Sequence, residues 1–312
     1  MKPARDPIPS SSPLIVITPG DPAGIGGEVA LKALASAPPR HSAVLLCRSG
    51  AGPSAGLPLV HSPAEALSHP LSCLPLTDEA PEFSFACVRA ATAWALEGQA
   101  SAVVTAPISK EAWRRAGLPD NGHTGYLTRA SGAPRTAMMF WSTGLKVLLF
   151  TIHIPLREVA PALSSPEIIA FLRFADRELR RLFHRPFRFL VAGLNPHAGE
   201  GGYLGSEERE IIAPALAAVS GPLEVIGPLP PDAVFLQAQR EGPETVVICW
   251  YHDQGLIPFK LLHRNQGVNL TLGLPFVRTS PDHGTASDIA GRGIADPGSM
   301  IAALDLADSL LG

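Results

Sequence analysis

Seven short apolar runs, rich in β-branched residues, recur along this chain of 312 residues. Apolar and polar residues do not alternate within them, which is typical of strands buried on both faces of a parallel sheet. Stretches of helical character separate the runs, and this alternation predicts an α/β fold with a mostly parallel sheet covered on both faces. The predicted strands lie within 14–20, 43–47, 102–107, 146–155, 187–196, 245–253 and 267–275, and the predicted helices at 28–37, 83–98, 166–183 and 206–220.

The composition limits both the class of the protein and its partners. Hydrophobic residues make up 46% of the chain and charged residues 17%, so the chain buries a large core and disorder is excluded. A net charge of −3 gives no basic surface for nucleic acid or anionic lipid. The four cysteines are far apart, which excludes a CxxC zinc site and indicates a reducing compartment. Without a signal peptide or a membrane-length apolar run, we expect a soluble, cytoplasmic protein.

Three of the ten histidines close predicted strands, namely His153, His197 and His252. In open α/β sheets, ligands bind at the carboxyl ends of the strands. Imidazole is a common ligand of divalent metals, and three such ligands leave a position open for a substrate. The spacing matches no short metal motif, so two interpretations stay open, a metal site and three ordinary strand-end residues.

Two glycine-rich strings follow predicted strands. GDPAGIGGE (20–28) opens a helix but has neither GxGxxG nor GxxxxGK[ST] spacing, so a tight turn explains it at least as well as a cofactor loop. NPHAGEGGYLGSEE (195–208) surrounds His197 with four glycines and ends at a helix start that Ser206 is suited to cap. The string GPSAG (52–56) has GxSxG spacing but lies in a low-complexity loop, and no Ser-His-Asp order with a nucleophile elbow is visible, which argues against a hydrolase of that type.

Two cations stand out in a chain this poor in charge. Lys260 follows YHDQG, and Arg278 lies just beyond a glycine-containing predicted strand. The surface-charge interpretation that suits most lysines and arginines is weaker for these two residues. Two fixed cations beside a metal suit a small anionic substrate that carries a carboxylate or a phosphate.

Seven longer motifs run in order from about residue 14 towards the C-terminus: ITPGDPAGIGGE, VTAPISK, NGHTGYLT, NPHAGEGGYLG, GPLPPDAVF, YHDQGLIPFK and GVNLTLGLPFVRTSPDHGTASDIAGRG. Together they resemble the 4-hydroxythreonine-4-phosphate dehydrogenase family of pyridoxine biosynthesis. The resemblance implies a fold like that of isocitrate and isopropylmalate dehydrogenases, with two α/β/α domains and a cleft between them. It also implies a homodimer whose active sites use both subunits, and a nicotinamide cofactor, NAD or NADP, bound without a GxGxxG loop.

The same resemblance assigns roles to individual residues. One divalent metal per active site (Zn, Mg, Mn or Co) is expected on His153, His197 and His252, with the last donated across the dimer. Lys260 is expected to be catalytic, by neutralising a carboxylate or by transferring a proton. Substrate contacts are expected at His123, Thr124, Lys260, Asn269 and Arg278, and no cofactor-binding residue is assigned.

The chemistry implied is metal-dependent oxidation of 4-phosphooxy-L-threonine at its C3 hydroxyl, followed by decarboxylation to 3-amino-2-oxopropyl phosphate, in pyridoxal 5'-phosphate biosynthesis. Three positions depart from the family pattern, since Gly27 replaces Pro, Gly125 replaces Glu and Ser287 replaces a larger apolar residue. A paralogous dehydrogenase of threonate or erythronate 4-phosphate is therefore the main alternative. A phosphotransacetylase-like transferase and a non-catalytic binding protein are more distant ones.

The substrate motifs alternate between the ends and the middle of the chain, as a cleft between two domains requires. We therefore predict a discontinuous first domain, residues 1–125 with 265–312. The second domain, residues 126–264, is predicted to contribute the metal ligands and the dimer interface.

Overall fold

The computed structural model describes residues 13–49, 56–76, 82–120 and 122–312, and it confirms the predicted α/β class. The strands are β1 (Leu14–Thr18), β2 (Ser42–Arg48), β3 (Leu71–Leu76), β4 (Ala102–Thr105), β5 (Ala137–Trp141), β6 (Lys146–Leu149), β7 (Arg188–Ala192), β8 (Glu224–Leu229), β9 (Thr245–Cys249), β10 (Val268–Leu272) and β11 (Val277–Pro281). The helices are α1 (Gly26–Ser36), α2 (Pro63–Ala66), α3 (Phe83–Leu96), α4 (Lys110–Arg115), α5 (His123–Ser131), α6 (Ser165–Phe183), α7 (Ala213–Ala217), α8 (Val234–Glu241), α9 (His252–His263) and α10 (Gly298–Ser309).

The chain divides into two compact units. The first comprises Met1–Thr136 and Val268–Gly312, and the second comprises Ala137–Gly267. The sequence-based boundaries lie after residues 125 and 264. Within the described residues, no helix has both the length and the apolar character needed to cross a membrane.

The first unit is built on strands in the order β3-β2-β1-β4-β11-β10, all parallel except β10. All five residues of β1 are buried, as expected for a central strand with both faces covered. Side chains of α3 and Trp113 pack against Val16 and Val103 on one face. On the other face Thr279 Oγ1 donates a hydrogen bond to the Ala303 carbonyl of α10 at 2.8 Å.

The second unit orders its strands β5-β6-β9-β7-β8, with β5 antiparallel and the others parallel. Helices α8 and α9 pack against the β6 and β9 side chains through residues such as Phe235 and Phe259. The carboxyl ends of β6, β9 and β7 are neighbours, so the loops that follow these three strands begin at one edge of the sheet.

Several elements differ from the sequence-based expectation. The strand predicted at 146–155 ends at Leu149, and the helix predicted at 206–220 begins as a π-turn over Glu208–Ile212 before α7. Helix α9 was not predicted because Gly255 and Pro258 lie inside it. Strand β11 was not predicted because its sequence, VRTSP, is polar although every residue is buried.

Candidate active site

Arg278 is the most unusual charged residue of the first unit, because its side chain is only 2% exposed. Its Nη1 donates to Thr271 Oγ1 at 3.0 Å and its Nη2 donates to Thr105 Oγ1 at 2.7 Å. Its Nε has no hydrogen-bond partner, and no acidic side chain pairs with it within the described residues. Burial lowers the pKa of Arg278 to about 10, so the group stays charged at neutral pH without a counter-charge.

Strand register explains why these groups meet. Arg278 is paired with Val103 in the parallel ladder of β11 and β4, and Thr105 lies two residues further along β4 on the same face. Thr105 is in turn paired with Thr18, the last residue of β1, whose buried Oγ1 has no partner among the described residues. On this face of the sheet, polar side chains therefore lie at the carboxyl ends of β1 and β4.

His123 opens α5 after Gly122, whose φ of 115° only glycine adopts readily. The Nε2 of His123 is buried and lacks a partner among the described residues. Burial, together with the charges of Arg278 and Lys110, holds the pKa of His123 well below its usual value, so the imidazole is neutral at pH 7. Thr124 follows in the first turn, where no side chain caps the helix, so backbone N–H groups stay available there.

Asn269 lies on β10, and its buried Oδ1 also lacks a partner within the described residues. Unpaired buried polar atoms are rare in folded proteins, and each calls for a ligand, an ion or a water molecule. Four of the predicted substrate contacts thus lie in the first unit, and three of them carry such atoms: His123, Asn269 and Arg278. The fifth, Lys260, is an exposed residue of α9 in the second unit, about 12 Å along that helix from His252.

Two of the three predicted metal ligands meet in one protomer. The rings of His153 and His252 have centroids 5.6 Å apart. His153 lies in the loop beyond β6, and His252 is the first residue of α9, three residues after β9 ends. The Nδ1 of His252 lies 2.6 Å from Asp253 Oδ1, and a carboxylate in this position orients an imidazole and leaves Nε2 to face a metal. The donor set therefore fits two ligands of a divalent ion.

His197 does not join this pair in one protomer. Within the described part of the chain, no group of three or more histidine, cysteine or acidic side chains is arranged to hold a metal. The resemblance implied that His153 and His197 come from one subunit and His252 from the other, whereas one protomer brings together His153 and His252.

The loop that carries His197 has an uncommon backbone. Every residue from 197 to 202 has a positive φ, including the non-glycine residues His197, Ala198 and Glu200. Left-handed backbone costs a non-glycine residue about 1–2 kcal/mol. The glycines of this string therefore serve its left-handed path.

The glycines of GDPAGIGGE serve close packing instead. A Cβ on Gly20 would lie 2.2 Å from the Pro107 carbonyl oxygen, and one on Gly26 would lie 2.2 Å from the Pro19 carbonyl oxygen. This supports the tight-turn interpretation. The three positions that depart from the family pattern have free space among the described residues. A Cβ on Gly27 would meet no described atom within 4 Å, one on Gly125 would meet only Asp120 Oδ1 at 4.0 Å, and Ser287 is exposed.

Sequence reasoning missed three residues that shape these sites, Thr105, Thr271 and Glu208. The two threonines hold Arg278 only because strand register places them beside it. Glu208 accepts hydrogen bonds from the chain before His197, and in the sequence it was only an acidic residue near a helix start. No local pattern distinguishes these residues from ordinary threonines and glutamates.

Comparisons with known proteins give the family of this chain. The 4-hydroxythreonine-4-phosphate dehydrogenase of Burkholderia vietnamiensis is 43% identical over 94% of this chain and 95% of its own length. The D-threonate 4-phosphate dehydrogenase of Pectobacterium atrosepticum is 39% identical over 96% of this chain and 99% of its own. The crystal structure of 4-hydroxythreonine-4-phosphate dehydrogenase from Klebsiella pneumoniae superposes with a TM-score of 0.83 at 42% identity, covering 97% of this chain and 99% of that one.

Fold and relatives together define the class, an oxidoreductase of α/β fold. Residues 57–307 match the model of the pyridoxal phosphate biosynthetic protein PdxA family, and the chain belongs to that family. Membership of a dehydrogenase family implies a nicotinamide cofactor.

Proposed function

We propose that this chain is an NAD(P)-dependent and divalent-metal-dependent dehydrogenase that oxidises 4-phosphooxy-L-threonine at its C3 hydroxyl. The product then decarboxylates to 3-amino-2-oxopropyl phosphate, a step in pyridoxal 5'-phosphate synthesis. The observation that carries the proposal is the buried charge of Arg278, which has no acidic partner among the described residues and shares a unit with unpaired atoms of His123 and Asn269. The family and its named dehydrogenases support the reaction class.

The substrate phosphate is proposed to bind in the first unit. Arg278 offers charged donors, and charge-assisted hydrogen bonds to phosphate are about twice as strong as neutral ones. His123 and Thr124 bring an imidazole and a hydroxyl to the start of α5, where backbone N–H groups and the helix dipole also favour an anion. Asn269 Oδ1 can accept a hydrogen bond from a substrate N–H or O–H group.

A zinc, magnesium, manganese or cobalt ion is proposed to bind His153 and His252 of one protomer together with His197 of the partner subunit. A bound metal would supply stabilisation of negative charge on the reacting oxygen, and a bound nicotinamide would supply the hydride acceptor. Asp253 fixes the ring of His252 for this role. Lys260 is proposed to neutralise the substrate carboxylate or to transfer a proton.

A homodimer follows from this division of ligands. Helix α9 begins with His252 and exposes three large apolar residues: Ile257 is 59% exposed, Leu261 81% and Leu262 51%. Clusters of exposed apolar side chains mark interfaces. A second copy of the chain would cover this face and bring its own His197 to the pair. The four cysteines are free and buried, which suits the cytoplasm as the proposed location.

Mixing inactive subunits tests this assignment of the metal ligands. His153→Ala mixed with His197→Ala should regain about a quarter of wild-type activity, because a two-fold dimer then contains one intact site in each mixed pair. His153→Ala mixed with His252→Ala should stay inactive. Recovery in the second mixture but not in the first would show that His153 and His197 act from one subunit, and recovery in neither would contradict a shared site.

A substrate screen tests the reaction itself. Metal-reconstituted enzyme with NAD or with NADP should reduce the cofactor fastest on 4-phosphooxy-L-threonine, and a chelator should abolish the reaction. The second candidate substrate is D-threonate 4-phosphate, favoured by the 39% identical Pectobacterium atrosepticum relative named for it and by Gly125 in place of the family glutamate beside His123. A preference for threonate or erythronate 4-phosphate would reject 4-phosphooxy-L-threonine as the substrate, but the assignment of the chain as a dehydrogenase would still hold.

A further inference from the structure

The left-handed loop around His197 cannot hold its shape by local preference alone. Six consecutive residues, 197–202, have positive φ, and three of them carry side chains. Backbone in such regions persists only where the surrounding structure fixes it, and it clusters at functional sites. The loop therefore needs a partner that fixes the chain on both sides of His197.

Glu208 supplies that partner. Its side chain is buried, with the residue only 4% exposed. Its Oε1 accepts hydrogen bonds from the backbone N–H groups of Leu194 and Asn195, both at 2.7 Å, and its Oε2 accepts one from Asn195 Nδ2 at 2.9 Å. After His197, a Cβ on Gly199 would lie 2.7 Å from Oε2, so the chain returns directly against the same carboxylate.

The chemistry of these contacts requires a carboxylate. Two N–H donors converge on one oxygen and a third donor reaches the other, whereas a glutamine would turn an NH₂ group towards one set of donors. Within the described residues no lysine, arginine or histidine pairs with Glu208, so N–H groups alone offset its charge. Glu208 also begins the π-turn Glu208–Ile212, an irregularity often found at functional sites.

We propose that Glu208 is a positioning residue that sets the loop so that His197 can complete the metal site. The inference rests on the proposed role of His197 as a ligand. It predicts that loss of the carboxylate weakens metal binding while the rest of the fold stays intact, because supporting partners of metal ligands typically contribute 10- to 100-fold in affinity.

The test compares Glu208→Gln with Glu207→Gln by titrating the metal-free dimer with Co²⁺ or Zn²⁺ alone. Glu208→Gln should raise the Kd of the metal by about 10- to 100-fold, and excess metal should restore much of the turnover. Glu207→Gln is the matched control, because among the described residues the Glu207 carboxylate accepts one hydrogen bond, from the same Asn195 Nδ2 at 2.8 Å. The control should change the Kd by less than about threefold.

Thermal unfolding separates positioning from plain stabilisation. A lower Tm for Glu208→Gln with an unchanged metal Kd would overturn the inference. If Glu208→Gln does not fold, Asn195→Ala removes one donor to Glu208 and should still raise the Kd several-fold, and an unchanged Kd there would also overturn it. His197→Ala tests the underlying assignment separately: full metal affinity in that variant would reject His197 as a ligand, whatever Glu208 does.

Discussion

Among the residues that the structure describes, each unit buries one lysine or arginine, and the surroundings of the two side chains differ. Arg278 in the first unit and Lys146 in the second are both 2% exposed. Arg278 is held by two threonine hydroxyls and has unpaired polar atoms of His123 and Asn269 in its unit. Within the described part of the chain, Lys146 donates only to the Ser142 carbonyl, at a long 3.3 Å, and its Nζ lies 4.4 Å from the centre of the Trp141 ring.

Arg278 and Lys146 also lie at different places in their strands. Arg278 reaches Thr105, which ends β4, so its charge points to the edge of the sheet where ligands bind in α/β folds. Lys146 begins β6, at the opposite end of its strand, where Trp141 stacks on Phe183 with ring centroids 4.3 Å apart. A buried cation therefore indicates a binding site only when polar groups and a strand end accompany it.

Replacing Arg278 should give the largest effect on function. Arg278→Met removes a charge-assisted hydrogen bond worth about 1.5–3 kcal/mol, so kcat/KM on the phosphorylated substrate should fall roughly ten- to a hundred-fold. Stability should change little, because the variant also removes a buried charge without an acidic partner. Steady-state kinetics on the phosphorylated substrate and on its dephosphorylated counterpart measure the effect, and Lys146→Met is the matched control. Equal losses on both substrates would place Arg278 on the carboxylate or in the scaffold.

Replacing Lys146 should affect stability and leave activity unchanged. Burial, together with the Arg185 charge, lowers the pKa of Lys146 to about 8, so at pH 7 the fold contains a poorly compensated ammonium group. Lys146→Met should raise the free energy of unfolding by about 1–2 kcal/mol at pH 7.

The lowered pKa of Lys146 also determines how the stability of the wild-type protein changes with pH. Between pH 8 and the unfolded value near 10.5, the unfolded chain holds a proton on Lys146 that the folded chain has lost, so wild-type stability rises with pH. The gain from Lys146→Met should shrink over that range in urea titrations. Arg157→Met, a change of an exposed cation, is the control. Loss of activity in Lys146→Met would show that the second unit also has a functional cation.

His123 should make the first unit sensitive to mild acid. Folding holds this imidazole neutral, while in the unfolded chain it titrates near pH 6.5. The unfolded state therefore gains a proton as the pH falls below about 6.5, and stability is lost by up to about 1.4 kcal/mol per pH unit. His123→Gln should flatten the stability profile between pH 6.5 and 5, and the exposed His61→Gln should not. An unchanged slope in His123→Gln would mean that this imidazole titrates freely.

Only part of the fold and of the candidate site could be predicted from the sequence. Unalternating apolar runs predicted β1, β2, β4, β6, β7, β9 and β10, because burial on both faces leaves a compositional signal. Strand β8 was missed because it contains Gly227 and Pro228, and β11 because its buried residues are polar. Motif resemblance indicated His123 and Arg278.

The residues that hold Arg278 and the His197 loop in place could not be recognised from the sequence. Thr105 and Thr271 matter through strand register, and Glu208 through a loop that folds back on it. Lys146 was not singled out either, because only the packing of Trp141 and its aromatic neighbours buries it. Contacts between residues distant in sequence decide these roles, and composition or periodicity does not record them.

The smallest expected effect lies at Gly125, beside the two residues that open α5. Its φ is ordinary, and among the described atoms a Cβ there would meet only Asp120 Oδ1, at 4.0 Å, so Gly125→Ala fits without strain. Restricting the unfolded chain should raise stability by about 0.4–1 kcal/mol. Activity should stay within about twofold, because the methyl group adds no charge beside His123 and Thr124. Chemical unfolding and kcat/KM measured together check this, with Gly132→Ala as the contrasting control, since Gly132 has a φ of +64° and should lose stability. A large fall in kcat/KM for Gly125→Ala at unchanged stability would mean that the substrate itself occupies the space beside Gly125.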